Sequence, residues 1–164
     1  MAILAELEEL SSRDPDGSIW RGCHREVISG VGNTTTAFLL TAAQSGALCL
    51  FDAADGVVYQ LPAPVVGTWF EFLVTVAGTG NSYSIDTDAA TTFIGGAIAT
   101  VSTTVAEGGE SFPATIASTV SCDFDSAVTG RLVGTQVKFT CISATEWVCK
   151  GILHGVGSLA SPFA

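Results

Sequence analysis

The chain has 164 residues, of which 48% are apolar and only 13% are charged, and its formal net charge is −10. This length suits one domain with a sizeable hydrophobic core. The six Lys and Arg residues are scattered along an acidic chain, so no basic surface for nucleic-acid phosphates is expected. No stretch of about 18 apolar residues occurs, and the acidic opening MAILAELEEL does not resemble a secretory signal, so neither a membrane span nor a signal peptide is expected.

So few charged residues leave a surface made largely of Thr, Ser, Gly, Ala and apolar groups. Such a surface favours a subunit that buries area against partner chains. A compact Gly-rich monomer is the alternative, because apolar area is normal on any protein surface.

The first 33 residues are predicted to form an N-terminal arm outside the main domain. Residues 1–12 have the spacing of a short helix with one apolar side. A helix of three turns or fewer is marginal in isolation, so this segment is expected to dock on a partner. A polar loop at 11–17 and a Gly-rich stretch at 29–33 flank two further large apolar residues. The candidate partner-binding residues of the arm are Leu4, Leu7, Leu10, Ile19 and Trp20.

Residues 34–164 are predicted to form an all-β domain. Apolar runs at 34–41, 47–51, 57–61 and 69–76 are separated by Gly, Pro, Ser and Asp, which reverse a chain between strands. The run that begins at Trp69 has apolar residues on both sides, which predicts a central strand covered on each face. Shorter strands are expected between residues 92 and 121. Many strands of roughly 5–8 residues favour a two-sheet sandwich or jelly roll.

The last two strands are predicted to form a hairpin. Val137, Phe139 and Cys141 share one face with Trp147, Cys149 and Leu153, while Lys138, Thr140, Lys150 and His154 take the other. Because paired residues lie on the same side of a sheet, the loop must have an odd number of residues. A three-residue loop at 144–146 would place Cys141 opposite Cys149, either as two thiols in contact or as a cross-strand disulfide. The other cysteines, at scattered spacing, favour reduced core thiols.

A short sequence echo links two of the predicted strands. Residues 66–72 (VGTWFEF) are similar to residues 133–139 (VGTQVKF), and each opens a long strand after a Val-Gly-Thr turn. The echo is consistent with two similar halves of one domain, and equally with chance.

No catalytic or metal-binding constellation is apparent. The two histidines, His24 and His154, lie in no nucleophile motif, and Cys23-His24 is poor zinc geometry. The alternating Asp pairs at 14/16, 86/88 and 123/125 lack the further ligands of a calcium loop and are interpreted as turn residues. Trp69 and Trp147 are interpreted as core residues, whereas Trp20 is a candidate anchor in another subunit. We therefore expect a protein that is not an enzyme and holds no cofactor or metal.

Several segments nevertheless resemble small β-rich virion proteins of tailed bacteriophages. They are 40–46 (LTAAQSG), 50–52 (LFD), 55–56 (DG), 61–64 (LPAP), 67–72 (GTWFEF), 88–96 (DAATTFIGG) and 159–164 (LASPFA). The chain is similar over residues 34–164 to capsid decoration (cement) proteins. The resemblance implies a homotrimer on the outer capsid surface of the virion, made in the cytoplasm of a host bacterium, with the major capsid protein as partner. It identifies no catalytic residue.

A binding module is the alternative function. The β-domain would then recognise a receptor or glycan as part of a phage tail fibre or head fibre. Its loose candidates are Tyr59, Gln60, Asn81 and Tyr83, because glycan sites combine aromatic side chains with amides or carboxylates. An enzyme that degrades polysaccharide is the least favoured interpretation.

Overall fold

The computed structural model describes residues 25–30, 36–79, 83–103, 108–115, 117–124 and 126–164. The candidate arm residues Leu4, Leu7, Leu10, Ile19 and Trp20 lie outside these ranges. Apart from one 3-10 turn, the regular secondary structure of the described residues is all β, which confirms the predicted all-β class.

Eleven strands and one 3-10 turn make up the described structure. The strands are β1 (Val27–Ser29), β2 (Phe38–Leu39), β3 (Leu48–Phe51), β4 (Val57–Gln60), β5 (Trp69–Val74), β6 (Tyr83–Asp86), β7 (Phe93–Ser102), β8 (Gly109–Pro113), β9 (Ser121–Phe124), β10 (Gln136–Cys141) and β11 (Glu146–Gly155). The single 3-10 turn is Ala42–Gln44.

These strands form two sheets. The larger has seven strands in the order β1-β3-β5-β10-β11-β7-β8, and the smaller has four in the order β2-β4-β6-β9. The first six strands alternate between the sheets, so the chain passes from one sheet to the other and back in successive circuits. Each circuit adds a parallel neighbour: Val27 pairs with Leu48, which in turn pairs with Glu71. In the smaller sheet, Phe38 pairs with Tyr59, which pairs with Ile85.

This parallel pairing differs from the expected jelly roll. A jelly roll is built from antiparallel strands, whereas five of the nine strand pairs in the described chain are parallel. The difference has a physical cause. Alternation of apolar and polar residues identifies a strand, but the same alternation occurs in parallel and in antiparallel ladders, so it does not predict the direction of pairing.

The predicted and observed positions of β3, β4 and β5 agree, because the residues of the turns between them determine where these strands begin. The predicted runs at 47–51, 57–61 and 69–76 contain β3, β4 and β5. Gly46 and Gly56, which precede β3 and β4, have φ of 93° and 107°. That conformation is easily reached only without a Cβ, so glycine fixes where these strands begin.

Two predicted strand regions differ from the structure. Within the run at 34–41 only Phe38–Leu39 is a strand, and residues 34–35 lie outside the described ranges. Between 92 and 121, where short strands were expected, β7 extends over ten residues. It pairs with β11 along its whole length, so tertiary pairing lengthens a segment whose Thr, Ala and Gly residues have modest strand propensity.

The hydrophobic core lies between the two sheets. Phe51 of the larger sheet contacts three aromatic rings of the smaller one, with centroids 5.3 Å away for Tyr59, 4.8 Å for Tyr83 and 5.7 Å for Phe124. All four side chains are fully buried. Aromatic contacts at these distances stabilise beyond simple area burial, so this cluster joins the two sheets into one body.

The final hairpin has the predicted faces but a different register. Val137, Phe139, Cys141, Trp147, Cys149 and Leu153 are all buried, as expected. Cys141 lies opposite Trp147, however, and Cys149 lies opposite Phe139. Ile142 donates its N–H to the Glu146 carbonyl, so the odd-numbered loop is 143–145, one residue earlier than predicted. Both cysteines are free thiols, and the alternative of a cross-strand disulfide is wrong.

The Val-Gly-Thr echo corresponds to two equivalent turns on neighbouring antiparallel strands. Gly67 and Gly134 have φ of 91° and 92°, and each turn is closed by a Thr N–H, from Thr68 or Thr135, bonded three residues back. Gly67 N–H bonds the Cys141 carbonyl at the end of β10, and Gly134 N–H bonds the Val74 carbonyl at the end of β5. The echo therefore reflects a local two-fold relation of β5 and β10, not a repeat of half the domain.

The described end of the predicted arm belongs to the larger sheet. Val27–Ser29, which sequence analysis placed in the arm, forms the edge strand β1 beside β3. Ile28 is 6% exposed and packs into the core. Burial of this apolar side chain and pairing at three ladder positions help to attach the segment to the domain.

Candidate interaction surface

The face of the seven-stranded sheet that points away from the core carries a regular grid of side chains, here called the outer face. One cross-strand row joins Leu48, Glu71, Lys138, Lys150 and Ala97. The next row joins Leu50, Leu73, Gln136, Ile152 and Ala99. Trp69 lies at one end of this grid and His154 at the other. The outer face therefore combines basic, amide and apolar groups.

Positive charge is concentrated on this face. The described residues include four Lys and Arg, and three of them, Arg25, Lys138 and Lys150, lie here. Lys138 and Lys150 are directly opposite each other on adjacent strands. Like charges in that position are destabilising, so the sheet tolerates an unfavourable pair at the centre of the face.

Glu71 is the carboxylate that balances part of this charge. Arg25 Nη1 lies 2.5 Å from Glu71 Oε2, and the Gln136 amide also donates to Glu71. Burial acts to raise the pKa of Glu71, but the hydrogen bond and charge of Arg25, with help from Gln136 and Lys138, bring that pKa below its usual value. Arg25 also donates to the Gly46 and Ala47 carbonyls, and so ties the chain before β1 to β3 and β5.

Trp69 belongs to the outer face and not to the core. Trp69 and Trp147 are both predicted to be core residues, but only Trp147 is fully buried. Trp69 is half-buried, with Lys138 Nζ 3.9 Å and Arg25 Cζ 5.3 Å from its ring. The alternation in β5 forces one of the two sides outward, and the Phe70, Phe72 and Val74 side is the one that faces the smaller sheet. The cations then cover part of the indole surface.

A shallow open depression of about 620 Å³ lies over the middle of the outer face. Its lining residues are Glu71, Gly134, Gln136, Val137, Lys138, Lys150, Gly151, Ile152 and His154. An open basin with both charged and apolar walls is suited to a protein segment lying across it more than to an enclosed small molecule.

The smaller sheet has the opposite character. Ser84 and Asp86 of β6 lie opposite Asp123 and Ser121 of β9. Burial, followed by the nearby Asp123 charge, raises the pKa of Asp86, although a hydrogen bond from Ser84 acts against this. Within the described ranges no cluster of three or more His, Cys, Asp or Glu residues is arranged to hold a metal ion.

The described cysteines are core residues. Cys49, Cys122, Cys141 and Cys149 are free and buried, as predicted for reduced thiols, whereas Cys23 lies outside the described ranges. Burial raises the pKa of Cys49 and of Cys149 to about 12. A thiol of such high pKa is a poor nucleophile at neutral pH.

The loose glycan candidates are not brought together as a binding site. Tyr59 and Tyr83 are fully buried, with hydroxyls bonded to main-chain carbonyls. Gln60 donates to the Asp88 carbonyl, and Asn81 lies outside the described ranges. The cluster around Trp69, Glu71 and Arg25 cannot be recognised in the sequence, because its members come from segments that meet only through non-local pairing.

Comparisons with known proteins give no match: no family model, no curated protein and no solved structure is significantly similar to this chain. None of the described residues form a helix that could span a membrane.

Proposed function

We propose that this protein is a capsid decoration (cement) protein, a structural virion protein that binds the outer surface of an icosahedral phage head between coat subunits and stabilises it. The observation that carries the proposal is the broad outer face, on which an acidic chain gathers basic and apolar side chains. A broad mixed face of this kind suits protein–protein contact.

In this proposal the two sheets pack as a sandwich-like body, and residues 1–24 act as the arm that reaches the major capsid protein. Leu4, Leu7, Leu10, Ile19 and Trp20 anchor it in grooves between coat subunits. The body forms a homotrimer, as the resemblance to decoration proteins implies. Because the protein binds only the assembled lattice, it stabilises the shell by mass action, by about 2.7 kcal/mol per site at a free concentration 100 times the dissociation constant.

Re-binding to stripped shells tests this function. Phage particles from the culture that produces the protein are freed of it with mild denaturant, titrated with purified chain and imaged by electron microscopy. We expect saturable binding at many symmetry-related positions on the head and a higher melting temperature of the shell. Absence of binding, or a few copies confined to the tail, would contradict the decoration role.

A matched pair of variants tests the arm. Leu7→Ser removes an apolar anchor and is expected to lower shell affinity about tenfold or more, which corresponds to the loss of one buried leucine. Ser12→Ala changes a polar residue of the same segment and should bind as the unmodified chain does. Equal affinities of the two variants would remove the arm from the interface.

The alternative, a receptor- or glycan-binding module of a tail or head fibre, is favoured by one observation. Trp69 is half-buried and lies beside the carboxylate of Glu71, which contacts the Gln136 amide. An aromatic ring next to such groups is typical of sugar recognition. Saturable binding of the purified protein to host envelope polysaccharide, lost in Trp69→Ala, would favour this alternative over the decoration role.

A further inference from the structure

The centre of the outer face has more basic than acidic groups. Lys138 and Lys150 are directly opposite each other, and Glu71, the one carboxylate in their row, is also bonded to Arg25 and Gln136. Among the described residues, no carboxylate lies within ion-pairing distance of Lys150, which is exposed. An acidic ligand over the two lysines would turn a repulsive pair into a favourable arrangement.

The surroundings of the lysines are apolar. Ile152, on the next row, is 50% exposed, and Leu73 and Val148 are half-buried on the same face. A ligand that fits this surface therefore combines carboxylates with aliphatic side chains. Leu50 extends the apolar row toward β1.

The chain enters the described structure at the border of this same face. Arg25 lies over the Trp69 ring and binds Glu71, so the residues that precede it begin beside β3 and β5. From Arg25 back to Leu10 the chain has a maximum reach of roughly 50 Å. Counted from β3, Lys138 lies two strands away and Lys150 three, which is about 10 Å and about 15 Å across the sheet. The N-terminal segment can reach them easily.

Residues 1–12 have the composition that the face requires. They contain Glu6, Glu8 and Glu9 and no Lys or Arg, together with Leu4, Leu7 and Leu10. We propose that residues 1–12 of this chain dock on the outer face of their own seven-stranded sheet, with their carboxylates over Lys138 and Lys150 and their leucines against Leu73 and Ile152.

Attachment in the same chain gives this segment a high effective concentration at the face, so modest contacts are sufficient to hold it. The inference concerns the free protein and does not depend on the capsid role. If the protein does decorate a shell, the docked segment keeps its apolar residues covered until coat subunits compete for them.

Carbodiimide cross-linking of the full-length protein tests the docking. The reagent joins a carboxylate to an amine only when the two are in contact, and mass spectrometry identifies the joined peptides. We expect cross-links from Glu6, Glu8 or Glu9 to Lys138 or Lys150 in dilute protein. An equal mixture of ¹⁵N-labelled and unlabelled protein should give cross-links within one isotope only. Mixed-isotope links would assign the face to the segment of a second copy and overturn the proposal.

A charge exchange provides the second test. Lys150→Glu should reduce the cross-links to Lys138 at least about threefold and expose the bonds after Glu6, Glu8 and Glu9 to glutamyl endopeptidase. Adding Glu8→Lys should restore protection. Thr145→Glu, in the exposed hairpin loop, adds negative charge away from the lysines and is the matched control.

The outcomes are decisive in both directions. Docking is supported if the bonds after Glu6, Glu8 and Glu9 become sensitive to the protease in Lys150→Glu, stay protected in Thr145→Glu, and are protected again when Glu8→Lys is added to Lys150→Glu. Equal protease sensitivity of all variants, or no cross-link to either lysine, overturns it. Far-ultraviolet circular dichroism of each variant verifies that the β-domain is folded.

Discussion

Two glycines with almost the same backbone conformation serve different purposes. Gly67 has φ of 91° and nothing within 4 Å of the place where a Cβ would lie. Gly96, in β7, has φ of 99°, and a Cβ there would overlap the Cys149 carbonyl on β11. The first glycine is required only by its conformation, whereas the second also permits the close approach of two strands.

Alanine substitution separates these two requirements. Gly67→Ala should reduce the free energy of unfolding by about 1–2 kcal/mol, the cost of a left-handed alanine. Gly96→Ala should cost more than about 3 kcal/mol, because steric overlap at a sheet backbone adds to the same strain. Urea denaturation monitored by circular dichroism measures both. A Gly96→Ala loss no larger than that of Gly67→Ala would contradict the close approach.

The buried thiols should be inert in the native protein. Burial, which for Cys49 is reinforced by the charge of Glu26, raises the pKa of Cys49 and Cys149 to about 12, and also raises the pKa of Cys122 and Cys141. In a Cys23→Ser background at pH 8, all four should react with Ellman's reagent at least about tenfold more slowly than in guanidinium chloride. Immediate reaction of one equivalent in the native state would contradict the burial of that thiol.

At the scale of strands, Tyr59 connects two successive circuits of the chain. Its hydroxyl lies 2.8 Å from the Leu50 carbonyl on β3 and 3.2 Å from the Ile28 carbonyl on β1. The ring comes from β4 in the other sheet, so this one side chain joins three strands. Tyr59→Phe should lower stability by about 1–2 kcal/mol, because the Leu50 carbonyl, the nearer acceptor, loses its donor.

Thr140→Val is the control for that measurement. Thr140 is half-buried on the outer face. Loss of its hydroxyl should change stability by less than about 0.5 kcal/mol. Both variants are compared with the unmodified protein in urea. Equal stability of Tyr59→Phe and Thr140→Val would show that the hydroxyl of Tyr59 does not join the circuits.

The Arg25–Glu71 pair links β5 to the segment before β1 and should make stability pH-dependent. Because folding lowers the pKa of Glu71, its contribution is present above the usual value of 4.5 and is lost as the pH falls through the folded-state pKa. Glu71→Gln should cost about 0.5–1 kcal/mol at pH 7, since the pair is partly exposed to solvent, and almost nothing near pH 2. Thermal unfolding across this range measures the difference. A gap that stays constant down to pH 2 would contradict the assigned ion pair.

What could be predicted from the sequence depends on how local each feature is. The positions of β3, β4 and β5 follow from apolar runs bounded by Gly, Pro and Asp. The faces of the β10–β11 hairpin follow from the alternation of odd- and even-numbered residues between the two sides of a sheet, which correctly predicts Lys138 and Lys150 on one side. The exact position of the loop could not be predicted, because loops at 143–145 and at 144–146 both pair odd-numbered residues with odd-numbered residues. Parallel pairing and the meeting of Arg25 with Glu71 depend on contacts between distant segments, on which local patterns have no bearing.

At the scale of the whole molecule, the two sheets differ in charge. Lys138, Lys150 and Arg25 lie on the outer face of the larger sheet, whereas Asp86 and Asp123 lie on adjacent strands of the smaller one. A chain of net charge −10 thus presents one side that repels anionic surfaces less than the other does. This asymmetry would orient the molecule as it approaches a charged partner.

The circuits between the sheets also have a consequence for how quickly the native state is reached. A parallel neighbour in β1, β3 and β5 becomes available only after the chain has closed a whole circuit, whereas β10 and β11 are joined by a three-residue loop. A large loop must close, at a cost in conformational entropy, before the strand contacts that stabilise it can form, and this slows refolding. We therefore expect this protein to refold in milliseconds to seconds, with the amides of the hairpin protected early and those of β1 late. Pulsed hydrogen exchange during refolding would reveal that order of protection, and simultaneous protection of the Ile28 and Phe139 amides would contradict it.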